Sequence, residues 1–199
     1  MIIVDVETTG LDPKKHSIVS IGAIDFYNTE NQFYEECRIF DGAEISQEAL
    51  AINGFTEEQI KDHNKRPLRE VVKYFFIWTA RFNHKTIAGQ NPAFDRDFLR
   101  ATAERYNLFW PLHYRTVDLH SLCYAHYLKR GLFPPIKDGT NILSPNQIYA
   151  YVGMPEENLP HNGLFGAKME AEAFSRLIHG KNLLREFSQY PIPEYLIQK

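Results

Sequence analysis

Apolar residues follow a strand-like pattern over the first forty positions of the chain. Ile2 to Val6 is apolar and β-branched except at Asp5, which predicts a buried strand with one polar insertion. Thr8 to Pro13 carries the glycine and proline of a turn. Two further strands are predicted from His16 to Tyr27 and from Gln32 to Phe40, so the chain is expected to open with an antiparallel meander.

Helical spacing of apolar residues dominates after residue 45. Helices are predicted at Ser46–Ile52, Thr56–Asp62, Pro67–Phe82, Ala93–Tyr106, about His120–Arg130, Ser144 to near Gly153, and Phe165–His179. Two short strands, Lys85–Ala88 and Thr116–Leu119, lie between them, and Gly131–Leu143 is predicted to be a loop. This order predicts an α/β fold, a mixed five-stranded sheet flanked by helices on both faces.

Length and charge limit the classes of protein that remain. With 199 residues and 44% hydrophobic content, the chain fits one domain at 1–180, with a tail at 181–199 that we expect to pack on it. The net charge of −3 argues against a long-range basic field for nucleic acid. No stretch approaches the roughly 18 apolar residues of a membrane helix. Two widely spaced cysteines and no signal peptide favour the cytoplasm.

Two carboxylates interrupt the first strand. Asp5 and Glu7 flank Val6 and therefore point to the same face of the sheet. Two acids beside a buried strand are costly unless a cation neutralises them, and oxygen ligands suit Mg²⁺ or Mn²⁺. The alternative is a strand end at which both acids are solvated.

Two later segments add candidate chemistry. Asp95 follows Asn91 and Phe94 at a strand-to-helix junction, where α/β folds place ligand sites, although it could merely complement the helix dipole. Asp97 is expected to face solvent. His161 precedes a helix and is either a surface residue or a general base.

The order of these motifs resembles the DEDDh family of 3′→5′ exonucleases. The matching pieces are Asp-x-Glu-Thr-Thr-Gly in the first strand, Asn-x-x-Phe-Asp before a helix, and a late histidine before another helix. The family includes the proofreading subunit of bacterial DNA polymerase III, RNase T and oligoribonuclease. The resemblance runs from about Ile2 to His179 and implies a ribonuclease H-like sheet.

The resemblance also implies roles for individual residues. In the family, acids hold two Mg²⁺ or Mn²⁺ ions on the scissile phosphate; Asp5, Glu7 and Asp95 match three of these ligands, and His161 matches the general base. The residues that match the substrate-binding positions are Thr8, Thr9, Gly10, Leu11, Asn91 and Phe94. The amides around Thr8 and Thr9 are expected to receive the 3′ hydroxyl, and Leu11 to wedge against the last base.

The fourth acid of the family is missing. Gly166 stands five residues after His161, where the family has an aspartate, and glycine offers no ligand. The resemblance therefore implies an activity weakened or lost at this position. Glu170, one helical turn further on, could compensate, or it could be a glutamate that faces solvent.

We therefore expect a metal-dependent 3′→5′ exonuclease that releases nucleoside monophosphates from single-stranded ends, with DNA favoured over RNA. The alternative is a non-catalytic nucleic-acid-binding or polymerase-associated module on the same scaffold. The expected partners are single-stranded DNA or RNA 3′ ends, with a polymerase or other replication or repair protein as a further candidate. A homodimer is left open.

Overall fold

A five-stranded mixed sheet organises the computed structural model, which describes residues 1–197. Its strands are β1 (Ile2–Thr8), β2 (Ile18–Asp25), β3 (Gln32–Glu36), β4 (Ile87–Gly89) and β5 (Thr116–Asp118), in the spatial order β3-β2-β1-β4-β5. The helices are α1 (Gln47–Asn53), α2 (Glu57–Lys61), α3 (Leu68–Ala80), α4 (Pro92–Arg105), α5 (Leu119–Lys129), α6 (Pro145–Tyr151), α7 (Gly163–His179) and α8 (Glu194–Ile197). The predicted fold class and meander are confirmed.

Strand β1 lies at the centre of the sheet and changes its pairing along its length. It pairs antiparallel with β2 along its whole length, but parallel with β4 only at Ile2 and Ile3. The second half of β1 therefore extends past the end of β4. Its main-chain groups on that side remain open to residues that follow β4.

Helices cover both faces of the sheet, because apolar side chains alternate along β1. Val4 and Val6 belong to the cluster beneath α3 and α4, which includes Phe75 and Phe98. Ile3 belongs to the cluster on the opposite face, which includes Phe174 of α7. Asp5 and Glu7 share the face of Ile3 and therefore point towards α7.

Several bounds differ from the sequence expectation: β3 ends at Glu36 rather than Phe40, and β4 is Ile87–Gly89 rather than Lys85–Ala88. The predicted loop Gly131–Leu143 contains a hairpin of β6 (Ile136–Lys137) and β7 (Thr140–Asn141). The turn is Asp138-Gly139, both with positive φ, and such pairs favour two-residue hairpin turns. Helix α7 begins at Gly163 rather than Phe165, because the Asn162 side chain accepts hydrogen bonds from the N–H groups of Leu164 and Phe165.

The chain after α7 returns along that helix. The fully buried Arg176 donates to the carbonyls of Phe187 and Tyr190 and to the side chain of Asn182. The last part of the expected tail, 198–199, lies outside the described residues. Among residues 1–197, no helix combines the length and apolar character that a membrane span requires.

Candidate active site

Strand β1 presents its two carboxylates over small residues of β2. Asp5 lies opposite Gly22, and Glu7 lies opposite Ser20. Directly opposite residues in an antiparallel pair share a face, so these small neighbours leave room above the strand. Glu7 is buried and Asp5 is partly buried.

Helix α4 brings a third carboxylate to β1. Asp95 lies in its first turn, is buried, and accepts a hydrogen bond of 2.9 Å at Oδ1 from the N–H of Val6. That N–H is free because β4 ends before it. Asp97 is exposed, as expected. The predicted junction thus places Asp95 against the main chain between Asp5 and Glu7.

The beginning of α7 lies directly over the same stretch of β1. A Cβ atom on Gly22 would overlap the main chain of Gly163, and a Cβ on Gly163 would lie 2.7 Å from the carbonyl oxygen of Asp5. Glycine at both positions therefore permits the close approach of helix and strand. This contact sets the position of the residues one and two turns further along α7.

Gly166 is buried against the side chain of Asp5. A Cβ atom built at residue 166 would overlap Oδ2 of Asp5, and it would lie 3.1 Å from Cγ of Asp5 and 3.3 Å from Oε1 of Glu157. The Asp5 carboxylate thus occupies the space that any side chain at residue 166 would enter. Gly166 thus lies beside Asp5 and supplies no ligand atom.

Glu170 points into the site and is 6% exposed, so the interpretation of this residue as solvent-facing is wrong. Its Oε1 accepts a hydrogen bond of 3.0 Å from the N–H of Gln90, the residue after β4. Its Oε2 would lie 2.9 Å from a Cβ atom on Gly89. The absence of a side chain at Gly89 therefore leaves the space that this carboxylate occupies.

Glu157 is a fifth acid at the site, and the sequence reasoning missed it. It lies in the loop between α6 and α7, where no motif or periodicity distinguishes it from its neighbour Glu156. Its Oε1 is buried and faces Gly166. His161 is close enough to Glu157 to lower the pKa of that carboxyl, although burial has the larger, opposite effect. The main-chain N–H of His161 donates to the carbonyl of Ile52.

Burial and mutual repulsion raise the pKa of the carboxyls at this site. The pKa of Glu7 is raised to about 7 by burial, then by Glu157 and Asp95. Burial raises that of Asp95 to about 7, against the opposing hydrogen bond from Val6. Burial and neighbouring acids also raise the pKa of Asp5 and of Glu170 well above its usual range.

The residues expected to bind substrate lie at the end of β1 and the start of α4. Leu11 is 82% exposed, and the side chain of Thr8 donates to the carbonyl of Gly10. Phe94 packs against Phe98, with ring centroids 4.8 Å apart. One expectation needs correction: the N–H of Thr9 already donates to the carbonyl of Ser17 at 2.8 Å, because the segment folds back on β2. It is therefore not free to receive a 3′ hydroxyl in this structure.

Asn91 holds an unusual backbone conformation beside these residues. Its φ is 53°, in the left-handed region, and its N–H donates to Oδ1 of Asp118 at 3.1 Å. Its side chain makes no capping bond to α4. The main chain of Asn91 is thus held in place, and Asn91 is exposed to solvent.

Buried oxygen atoms without partners surround this site. Within residues 1–197, the buried side-chain atoms that lack a hydrogen-bond partner are Ser20 Oγ, Gln90 Oε1, Glu157 Oε1 and Glu170 Oε2. Ser20 lies opposite Glu7, and the main-chain N–H of Gln90 donates to Oε1 of Glu170. Unpartnered buried polar atoms are costly, and oxygen is the donor that Mg²⁺ and Mn²⁺ prefer. The donor set therefore fits a hard divalent ion.

The carboxylate oxygens are nevertheless not arranged around a common position for a metal ion. In the described part of the chain, no three His, Cys, Asp or Glu side chains are already arranged to hold a metal ion. Asp95 and Glu170 each direct one oxygen to a main-chain N–H. The second oxygen of Glu170, Oε2, has no hydrogen-bond partner.

Sequence comparison agrees with this arrangement of motifs. The family model described as "Exonuclease" matches residues 2–174, which include Asp5, Glu7, Asp95 and His161. The chain belongs to this exonuclease family. The resemblance to an exonuclease family that the motifs predict is therefore confirmed.

The chain is similar to several curated proteins. It is 33% identical over 123 residues to "Ribonuclease T" of Haemophilus influenzae, an alignment that covers 52% of the chain and 51% of that protein. It is 33% identical over 99 residues to "DNA polymerase III PolC-type" of Thermotoga petrophila, over 50% of the chain and 7% of that protein. The chain thus spans about half the length, or less, of these curated relatives.

Solved structures show the same fold at low identity. The nuclease domain of 3'hExo, described as a DEDDh family member bound to rAMP, superposes with a TM-score of 0.68 at 18% identity over 92% of the chain and 94% of that domain. E. coli exonuclease I in complex with a 5cy-dT13 oligonucleotide has a TM-score of 0.69 at 18% identity, over 90% of the chain and 41% of that protein. The ribonuclease H-like sheet is thereby confirmed.

Proposed function

We propose that this chain is a metal-dependent 3′→5′ exonuclease that releases nucleoside monophosphates from single-stranded nucleic-acid ends. The observation that carries the proposal is the convergence of Asp5, Glu7 and Asp95 on the second half of β1, with buried oxygens without partners beside them. Solvated acids at a strand end would not explain this burial. A cation offsets both the repulsion between the carboxylates and their desolvation.

The protein groups have distinct tasks in this reaction. Asp5, Glu7 and Asp95 would hold two Mg²⁺ or Mn²⁺ ions, which supply Lewis-acid stabilisation of the charge on the scissile phosphate and activation of water. His161 takes the proton of the attacking water as general base. Leu11 and Phe94 contact the terminal base, while Thr8, Gly10 and Asn91 position the terminal sugar.

The test uses a matched pair of substitutions on one helix. Single-stranded DNA and RNA labelled at the 5′ end are incubated with the full chain in Mg²⁺ or Mn²⁺ and resolved by length. We expect a ladder of products shortened from the 3′ end. Asp95→Asn should slow it at least about 100-fold, because even outer-sphere changes cost 10–100-fold. Asp97→Asn, two residues away and exposed, should leave the rate unchanged. Equal rates in both variants would contradict the proposal.

A second candidate, a non-catalytic nucleic-acid-binding module, is favoured by one observation. Gly166 lacks a ligand, and Asp5 already fills the space beside it. Under this alternative the wild-type chain would shorten neither DNA nor RNA. It would still bind the same oligonucleotides, with unchanged affinity after chelation of divalent ions, in a fluorescence-anisotropy titration.

The choice of substrate and partner extends the same proposal. We favour DNA, and the assay compares it directly with RNA because "Ribonuclease T" relatives and exonuclease I with an oligonucleotide are both similar to this chain. Association with a polymerase is suggested by the PolC-type relative. A cytoplasmic location suits the free cysteines Cys37 and Cys123, which are both buried. The division at residue 180 remains a prediction.

A further inference from the structure

We propose that Glu170 supplies the fourth carboxylate ligand of the divalent-ion site, in the role that residue 166 cannot fill. The inference rests on the proposed function and names a residue outside the pattern of the family. It stands on three observations: the buried and unpartnered Oε2 of Glu170, the space that Gly89 leaves for it, and the position of α7 over β1.

The first observation concerns the carboxylate itself. Only 6% of Glu170 is exposed, and its two carboxylate oxygens have different surroundings. Oε1 is satisfied by the N–H of Gln90 at 3.0 Å, whereas Oε2 is buried without a partner. A merely structural glutamate would need only the first contact. The second oxygen is the one that remains for a ligand.

The second observation is that the surrounding main chain accommodates this oxygen. A Cβ on Gly89 would lie 2.9 Å from Oε2 of Glu170 and 3.1 Å from the carbonyl oxygen of Val4. Oε2 therefore lies where β4 ends beside β1, next to the residue before Asp5. Any other amino acid at position 89 would crowd the carboxylate.

The third observation is geometric. Gly163, Gly166 and Glu170 lie at successive turns of α7, and the first two contact the main chain and the side chain of Asp5 respectively. Side chains of a helix tilt towards its N-terminus, so Glu170 leans back over the turn of Gly166. Glutamate is one methylene longer than aspartate, which extends this reach. Glu170 is also close enough to Asp5 to raise the pKa of that carboxyl.

The neighbouring Glu157 is the competing donor. Its Oε1 is also buried without a partner and faces Gly166. However, Glu157 is less buried than Glu170 and belongs to a loop rather than to a helix packed on the strand. Rigid elements hold ligands more accurately than loops do. We therefore assign the ligand to Glu170, and the experiment includes Glu157.

The test counts bound Mn²⁺ directly, without substrate. Mn²⁺ is titrated into the full chain, and the free ion is measured by electron paramagnetic resonance for the wild type, Glu170→Gln, Glu157→Gln and Asp5→Asn. Glu156→Gln is the matched control, since it removes one exposed carboxylate from the same loop as Glu157. Glutamine at residue 170 keeps an oxygen for the N–H of Gln90. Melting of the metal-free variant reports whether it folds.

We expect Glu170→Gln to weaken the binding of at least one Mn²⁺ by about tenfold or more, and Glu156→Gln to have no effect. Glu170→Asp retains the charge but shortens the side chain, so it should weaken binding as well. If both Glu170 variants bind Mn²⁺ with wild-type affinity while Glu157→Gln or Asp5→Asn binds it more weakly, the assignment of Glu170 is overturned and the proposed function is not. A wild-type chain that binds no Mn²⁺ and shortens no oligonucleotide would overturn the proposed function too.

Discussion

At the scale of single residues, the contact between Asp5 and Gly166 decides what the site tolerates. Gly166 lies inside α7, where glycine costs about 1 kcal/mol relative to alanine. A methyl group there would overlap Oδ2 of Asp5, whose carboxylate is close to four other acids of the site. The two effects oppose one another, and the overlap should be the larger.

Gly166→Ala should therefore destabilise the wild-type protein in the absence of metal. In an Asp5→Ala background the overlapping carboxylate is gone, and the same substitution should stabilise by about 1 kcal/mol through helix propensity. Urea unfolding of the four members of this cycle measures the reversal of sign. An equal change in both backgrounds would show that Asp5 does not occupy the space beside Gly166.

The acids of the site show what the sequence could and could not predict. Asp5 and Glu7 could be placed together because strand alternation puts both on one face, and Asp95 could be added because it follows a strand-to-helix junction. The burial of Glu170 could not, because it depends on the absence of a side chain at Gly89, far away in the sequence. Glu157 could not be found either, since a loop has no periodicity that directs its side chains.

At the scale of elements, α7 is held in place by an ion pair that the sequence did not reveal. Glu172 and Arg176 are both fully buried and join at 2.8 Å, one turn apart. Arg176 also donates to the carbonyls of Val152 and Gly153. The other oxygen of Glu172 accepts from the N–H groups of Leu183 and Leu184. This network joins the helix that carries Glu170 to the segments on either side of it.

Arg176→Met should lower the free energy of unfolding by about 3–5 kcal/mol, because it leaves the carboxylate of Glu172 buried without its counter-charge. Arg100→Met on α4 removes a similar partner at the same spacing, from Glu104, but both of those side chains are exposed. That change should cost about 0.5 kcal/mol or less. Denaturant unfolding compares the two, and similar losses would contradict the role of the buried pair.

At the scale of the whole molecule, five of the 25 acidic residues lie together at the site. The formal net charge of −3 is smaller in magnitude than the formal charge of the five acids at the site when all are counted as ionised, which are Asp5, Glu7, Asp95, Glu157 and Glu170. The rest of the chain is therefore net positive. The initial argument from net charge against a nucleic-acid partner loses its force, because the acidic balance belongs to one pocket whose charge a cation can neutralise.

This concentration makes stability depend on pH in a direction opposite to that of ordinary ion-paired carboxylates. The pKa of both Glu7 and Asp95 is raised to about 7 in the folded chain, whereas unfolded carboxyls titrate near 4. Between these values the folded state binds more protons than the unfolded state, so the free energy of unfolding falls as pH rises. Metal-free protein should therefore melt at a lower temperature at pH 8 than at pH 5.5.

A divalent cation should remove most of that decrease. It binds the deprotonated carboxylates of the folded chain, so its stabilisation grows over the pH range in which the metal-free protein weakens. Calorimetry at pH 5.5 and 8, in chelator and in Mg²⁺, measures the four melting temperatures. Glu7→Gln removes one of the titrating groups and should flatten the metal-free profile, whereas Glu58→Gln, an exposed acid of α2, should not. A metal-free profile that rises from pH 5.5 to 8 would mean that the buried carboxyls are ionised and neutralised by groups of the protein itself.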